Sequence, residues 1–418
     1  MKALVIGGGG REHALAWRLS RSESIDAVYA TPGNAGMAMD VSCIPADVGS
    51  TSEMTALAET LGVDFTVVGP EVPLVDGIVD AFDAAGLPIV GPTAACAQLE
   101  GSKVFSKQFL LDHSIPTARA ETVEAVSDLD GALDRIGVPV ALKADGLAAG
   151  KGVVLCHTLE DAKRVGREML AGDVVGAAGS RLLVEEFMVG REVSFILLSD
   201  GQKTFEFRPT QDHKAVFDGD KGPNTGGMGA YCDDAILDDA LRQRVLGEII
   251  EPTLAGMEGF RGFLYAGLMI TADGPKVVEF NVRLGDPETQ PLLYRLTGDF
   301  GELLYSAARR SLDASAAGWA DGATAAVVMA SGGYPGSYEK GKKITGIADA
   351  EATAAKVFHA GTMLREGCLA TSGGRVLAVT AGGPSMDAAL DAAYAGVDKI
   401  AFEGAHFRKD IGRRGQTG

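Results

Sequence analysis

The sequence predicts a multidomain protein of mixed α/β and α+β class, with glycine loops arranged around small ligands. Three observations lead there. The chain opens on an apolar strand, four successive glycines and a helix; strand and helix patterns alternate through roughly the first 95 residues; and the 56 glycines gather in short loops and not in one low-complexity tract. Glycine clusters of that kind suit backbone wrapped closely around ligands, and alternating strands and helices suit a layered α/β lobe. A chain of 418 residues accommodates two to four domains, and 46% hydrophobic against 22% charged residues leaves ample core for them.

The first element is a buried strand over Ala3–Ile6, followed by Gly7–Gly10 and a helix from about Glu12 to Leu19. Strand, glycine turn and helix is the arrangement that turns backbone N–H groups toward an anion. A dinucleotide fingerprint needs G-x-G-x-x-G. Counting from Gly7 or Gly8 puts Glu12 or His13 at the third glycine, so the fingerprint fails. A second strand at Ala27–Ala30 runs into T-P-G-N-A-G, with no acid for a ribose hydroxyl. A nicotinamide cofactor is thereby disfavoured, while a sugar phosphate fits. Strand Phe65–Val68 delivers Glu71 at its C-terminal end, where ligands collect in open α/β sheets, and Ile89–Val90 leads into G-P-T.

A helix is expected over Leu99–Leu111, with Lys103 and Lys107 one turn apart; such a pair usually marks a solvated basic face. After the break at Ile115–Pro116–Thr117 comes a small α/β unit with a helix near Val126–Ile136 and a strand at Val140–Lys143. The segment A-D-G-L-A-A-G-K-G-V follows. It misses the Walker A spacing, because residue 145 is Asp and residue 152 is Gly. It reads instead as a hairpin lid whose amides and Lys151 cover phosphates. Strand Arg181–Glu185 becomes a linker that can offer backbone groups to a purine edge, and Glu192 is placed for two ribose hydroxyls. Residues 211–214 (Q-D-H-K) and 219–231 form a long polar glycine loop, a length that usually signals function or disorder. His213, a lone loop histidine beside Lys214, suits a binding or structural role better than a general base. Helices are expected near Leu241–Leu254 and Leu292–Ser311. A last α/β segment opens with Ala323–Ala330 and continues through strand Arg375–Ala381 and a helix around Met386–Ile400.

The densest chemistry lies in Lys276–Pro291, K-V-V-E-F-N-V-R-L-G-D-P-E-T-Q-P. Glu279 and Asn281 leave one face of a strand, and Arg283 follows on it. A carboxylate beside an amide oxygen suits a hard cation such as Mg²⁺, shared with nucleotide phosphates; the arginine suits a carboxylate or phosphate. Asp286 and Glu288 add two acids at the turn.

Composition excludes other classes. A formal net charge of −18 argues against a nucleic-acid binder. The five cysteines, Cys43, Cys96, Cys156, Cys232 and Cys368, lack a C-x-x-C spacing and fit a reducing, cytoplasmic setting without zinc or disulfides. The opening run reads as a strand and not a signal peptide, and no apolar stretch approaches a membrane span.

Taken together, these segments resemble the phosphoribosylamine–glycine ligase family of the ATP-grasp superfamily over essentially the whole length. The resemblance rests on G-R-E-H-A-L, P-G-N-A-G, V-G-P-E-V-P-L, G-P-T, K-A-D-G-L-A-A-G-K-G-V, Q-D-H-K, G-P-N-T-G-G-M-G-A-Y, G-F-L-Y-A-G-L-M and R-L-G-D-P-E-T-Q. Departures are small: four plain glycines in the first loop, Val282 where Cys is common, and Leu284 where Phe is common. The substrate loop separates this family from ATP-grasp carboxylases and transformylases. The retained lysines and the Glu279–Asn281 pair argue against a non-catalytic nucleotide sensor.

The resemblance implies an ATP-grasp fold with an N-terminal Rossmann-like domain at 1–98, a core at 99–120 plus 191–322, a small mobile lid at 121–190 and a C-terminal domain at 323–418. It implies a cytoplasmic, monomeric ligase of purine synthesis that joins glycine to 5-phosphoribosylamine with ATP through glycyl phosphate, without nucleic acid or membrane. Glu279 and Asn281 would hold Mg²⁺ or Mn²⁺. Lys103, Lys143 and Lys151, with Gly150 and Gly152, would meet ATP phosphates; Glu185 would take part in ATP binding, Glu186 and Met188 would meet adenine through backbone atoms and Glu192 the ribose. Arg283 and Asp286 would take glycine. Gly9, Gly10, Arg11, Asn34, Glu71, Asp212, Asn224, Thr225, Gly226 and Gly227 would hold the ribose phosphate and its amine. Lys143, Lys151, Arg283 and Asp286 are the catalytic candidates.

Overall fold

The computed structural model describes residues 1–147, 152–172 and 181–413. Gly150 and Lys151, and the expectation of a mobile loop around them, lie outside the described residues.

The first sheet has five parallel strands in the order Ser42–Cys43, Ala27–Pro32, Lys2–Gly7, Phe65–Val68, Ile89–Val90. The opening strand is central and buried because both neighbours are reached by crossovers in opposite directions. Its C-terminal end is therefore the point where the strand order reverses, the natural crevice of an open α/β sheet. The turn out of it needs Gly7 at φ +127°. Helix Gly10–Leu19 follows, with Glu12 reaching back to accept from the Gly9 amide at 2.6 Å.

A second, antiparallel sheet of four strands joins Ala120–Val123, Leu182–Glu186, Val140–Ala144 and Val153–Cys156. Helices Val126–Ile136 and Leu159–Leu170 close over it with Leu129, Leu133, Val165 and Met169, forming a core of its own.

The third sheet has nine strands and carries the signature segment at its edge. Gly274–Asn281 pairs with Gly262–Thr271, which pairs with Arg191–Ser199, and the sheet continues through Thr210–Asp212 and Gly229–Cys232. It does not stop there. Ala323–Ala330, Arg375–Gly383 and Ala355–His359 extend the same sheet, so the C-terminal segment is stitched to the core by backbone hydrogen bonds. Arg375 is brought toward the signature segment by this continuity.

Four expectations need correcting. The helix expected over Leu99–Leu111 is two helices, Ala94–Gly101 and Lys103–Asp112, because Ser102 is extended and caps the second by accepting from the Phe105 amide at 3.1 Å. Lys107 is not on a solvated face: it is only 5% exposed. The helix expected over Leu292–Ser311 is interrupted at Leu296–Gly298, which pairs with Ala317–Trp319 before Asp299 caps Phe300–Ala308. The helix expected near Leu241–Leu254 is present, with a π turn at Leu246–Ile250. The long polar loop is also structured. Ala215–Phe217 and Lys221–Asn224 form a hairpin between two strands of the large sheet. Its polar composition hid strands whose partners come from distant segments. The C-terminal tail holds it: fully buried Arg408 donates to Ala215 O at 3.0 Å and to Asp220 at 2.9 Å.

All five cysteines are free. Among the described residues no helix is long and apolar enough to cross a membrane.

Candidate active site

The signature strand builds one wall of the site by alternation. Phe280, Val282 and Leu284 are buried in the core, so Glu279, Asn281 and Arg283 share the opposite, half-buried face. A bulge places Gly267 opposite Glu279 and Leu268 opposite Val277, which sets the phase of this alternation. Arg283 donates to Asn281 Oδ1 at 2.9 Å and pairs with Glu100 at 2.7 Å and, more loosely, Glu71 at 3.6 Å. Burial alone would lower the arginine's pKa; Glu100 and Glu71 outweigh it and raise it. Burial pushes the Glu100 carboxyl up, and Arg283 offsets that only in part. Glu100 also accepts from the Val282 amide at 2.8 Å, so one acid holds both the arginine and the strand behind it.

Past the strand, Gly285 has no room for a side chain, because a Cβ would run into Glu288 and Tyr265. Tyr265 donates to Glu288 at 2.8 Å. Asp286 accepts from Gln290 at 2.8 Å and pairs with Arg375 at 2.8 Å. Arg375 also donates to the carbonyls of Asp286 and Gly226, each at 2.6 Å, joining the signature turn to the glycine loop. Burial would raise the Asp286 pKa, but Arg375 and Arg11 hold it below the usual carboxylate range. Arg11 is anchored by Glu12 at 2.7 Å and by Leu284 O at 3.0 Å.

The opposite wall comes from the four-stranded sheet and helix Lys103–Asp112. Glu185, 3% exposed, pairs with Lys143 and with Lys107, the latter at 2.8 Å. Lys143 also donates to Val278 O at 3.0 Å, across to the signature strand. Lys103 donates to Gly146 O at 3.3 Å. Asp145, at the root of the glycine segment, accepts from Ser102 Oγ at 2.8 Å and the Val104 amide at 3.1 Å.

Between the walls lies a cavity of about 530 Å³. Of the residues expected to act together, it brings in Arg11, Glu71, Lys103, Lys143, Gly152, Glu185, Asp212, Thr225, Gly226, Glu279, Asn281, Arg283 and Asp286. A second cavity of about 780 Å³ holds Met188, Glu192 and Asn224, and Lys214 lines both. Lys214 pairs with Glu192 at 3.2 Å.

The remaining expected residues sit beside these spaces. Gly9 and Gly10 adjoin Asp286, and Gly227 packs on Pro287. Asn34 lines neither cavity: its amide donates to Gly8 O and His359 O and accepts from the Gly36 and Met37 amides, all at 2.9 Å. The Glu186 carboxylate is turned to Arg119, accepting from its amide at 3.0 Å and its guanidinium at 2.7 Å.

Sequence reading missed Glu100, Lys107, Lys214, Tyr265 and Arg375 as lining residues, and gave Glu288 no role. Lys107 and Lys214 carried a signal, one being a turn from Lys103 and the other adjoining Asp212 and His213. Arg375 carried none, since only strand pairing brings it here.

The carboxylate of Glu279 differs from its neighbours. Among the described residues it has no hydrogen-bond or ion-pair partner. Burial would raise its pKa, yet the charges of Lys214, Lys143, Lys103 and Arg283 prevail and keep it lowered. An ionised, uncommitted oxygen pair beside an amide oxygen fits a divalent cation of hard character.

Comparison with known proteins agrees along the whole chain. Family models for phosphoribosylglycinamide synthetase match as the N domain at residues 1–100, the ATP-grasp (A) domain at 101–289 and the C domain at 324–414. The phosphoribosylamine–glycine ligases of Pseudomonas aeruginosa and Escherichia coli O6:H1 are each 50% identical, with 99% of this chain and 98% of theirs aligned. The crystal structure of the Thermotoga maritima phosphoribosylamine–glycine ligase superposes with a TM-score of 0.86 at 31% identity, covering 98% of this chain and 100% of that one. A Campylobacter jejuni biotin carboxylase, 13% identical, shares the fold alone, with a TM-score of 0.74 over 97% of this chain and 92% of its own. The chain therefore belongs to the phosphoribosylamine–glycine ligase family, and it is a carbon–nitrogen ligase of purine biosynthesis built on the ATP-grasp fold.

Proposed function

We propose that the chain joins glycine to 5-phosphoribosylamine in two steps, with ATP as co-substrate and glycyl phosphate between them. A carboxylate is a poor electrophile. In the first step a glycine carboxylate oxygen attacks the γ-phosphorus, the bond to the bridging oxygen breaks, and ADP leaves. In the second, the amine nitrogen attacks the acyl carbon, phosphate leaves and the nitrogen gives up a proton. The protein's task is alignment and charge neutralisation.

The observation that supports this reading is the convergence of Glu279, Asn281 and Arg283 with Lys103, Lys143 and Lys214 on one cavity. Glu279 and Asn281 would hold Mg²⁺ or Mn²⁺, which neutralises and orients nucleotide phosphates when bound. Lys103 and Lys143 add positive charge, and Gly152 brings backbone close. Met188 and Glu192, in the adjoining cavity, receive the adenosine end, with Lys214 at the junction. Arg283 and Asp286 take the carboxylate and ammonium of glycine. Arg11, Glu71, Asp212, Thr225 and Gly226 hold the sugar phosphate amine. The enzyme works as a monomer, which light scattering of the purified chain would check.

The test is ADP release with glycine, Mg²⁺ and phosphoribosylamine generated in situ, omitting each component in turn. ADP release that needs all of them is expected. With ATP carrying ¹⁸O at the β–γ bridge, glycine and no amine, scrambling of the label is expected from reversible glycyl phosphate formation. Turnover with no scrambling would argue for a concerted route.

A further inference from the structure

We propose that Lys107 is the permanent counter-charge of Glu185, fixed so that Lys143 stays free to turn its charge onto the phosphates of a bound nucleotide. The inference rests on reading the cavity as an ATP site, and goes beyond it by giving work to a residue outside the expected set.

An ammonium has three N–H donors. All three of Lys107 are used: on Glu185 at 2.8 Å, Thr117 Oγ1 at 2.6 Å and Ala118 O at 3.0 Å. Two of those acceptors belong to the segment entering strand Ala120–Val123, and Thr117 itself donates to Val277 O at 2.8 Å. Lys107 thus cannot move without unpicking the join between helix Lys103–Asp112 and the signature strand.

Lys143 is held differently. Its described partners are Glu185 and Val278 O, which leaves one donor uncommitted. It lines the same cavity as Lys103, Lys214 and Glu279. A buried carboxylate stripped of its only partner is costly, by about 3–5 kcal/mol. Were Lys143 the sole partner of Glu185, leaving it for a phosphate would incur that cost. With Lys107 fixed on one oxygen, Glu185 stays compensated while Lys143 swings. Two lysines on one acid leave one positive charge in surplus, and an anionic ligand is what that surplus suits.

The test uses the full chain and two probes, ADP and adenosine, with dissociation constants from calorimetry. Wild-type protein should bind ADP; if it does not, the ATP reading itself fails. In Lys107→Met the ratio of ADP to adenosine affinity should drop about tenfold or more, the scale of one charge-assisted contact. In the double variant Lys107→Met/Glu185→Gln the ratio should return to within about threefold of wild type, because the acid that captures Lys143 is gone. An unchanged ratio in the single variant overturns the proposal, and so does a double variant that stays low. Equal loss of both ligands would make Lys107 merely structural and also overturns it. Should the single variant fail to fold, Glu185→Gln alone decides: with no acid to hold Lys143, the ADP to adenosine ratio should equal or exceed wild type, and a fall of about tenfold overturns the proposal.

Discussion

Glu185 and Glu279 line one cavity, the first buried and the second half-buried, both among lysines, yet they are held in opposite ways. Glu185 spends its oxygens on Lys107 and Lys143. Among the described residues Glu279 keeps its own unspent, while Lys214, Lys143, Lys103 and Arg283 hold it ionised from a distance. A paired buried acid is part of the frame: its charge is already balanced. A half-buried acid kept charged with no such pair is the group we propose as a cation ligand. The same division runs through the rest of the site, with Arg283 locked to Glu100 and Asp286 locked to Arg375.

That contrast is sharpest at Glu279. Glu279→Gln should lower turnover by on the order of 100-fold or more at saturating Mg²⁺, while the melting temperature stays close to wild type because no hydrogen bond or ion pair among the described residues is lost. A near-normal rate would remove the metal assignment.

Arg283→Met should abolish activity and also destabilise the protein by about 3–5 kcal/mol, since Glu100 would be left buried without its partner. Denaturant unfolding would check it. A stability loss no larger than that of Glu279→Gln would break the distinction between framework acid and proposed cation ligand.

Arg375→Met removes a brace on Asp286 and the Gly226 carbonyl. We expect the KM for glycine to rise about 10- to 100-fold, the size seen for outer partners of a binding group, with the ADP dissociation constant unchanged. Equal losses for both ligands would place Arg375 in the general framework.

The smallest effect concerns the seam between the first and last segments. His13 accepts from the His359 amide at 2.8 Å through Nδ1, so its Nε2 donates to Asp40 at 3.0 Å. Burial disfavours the charged form of both imidazoles, lowering His13 and taking His359 from 6.5 to about 3, to which His13 and Lys356 add. The unfolded chain takes up these protons near pH 6.5 and the folded chain only at lower pH, so stability falls as pH drops below 6.5, with the His359 share levelling near 3. Burial would raise the Asp40 pKa, but His13 and Lys356 draw it down from 3.8 to about 2, which adds a loss in that lower window. In His359→Asn, melting temperatures between pH 6.5 and 4 should slope less than in wild type; an equal slope would assign the loss elsewhere.

The contrast also separates what was readable in residues from what was not. The Glu279–Asn281–Arg283 face was legible because strand alternation is local and has a period of two. The glycine turn after the first strand was legible for the same reason. Lys107 was misread, because a lysine one turn from another on a helix is indistinguishable in sequence from a solvated pair. The hairpin at 215–224 was read as loop, because its order comes from Arg408 and the C-terminal tail. Breaks at Ser102 and Leu296–Gly298 were missed because a cap and a distant strand partner outweighed helical periodicity.

By itself the sequence determined the strand and helix order, the spacing that rules out a dinucleotide or Walker loop, and the phase that points three polar side chains one way. These depend on residues within a few positions of each other. Only the tertiary structure decided which charges are spent and which are kept. Glu100, Lys107 and Arg375 lie 183, 78 and 89 positions from their partners Arg283, Glu185 and Asp286. Whether a buried charge is balanced depends on neighbours in space, and no local pattern encodes them.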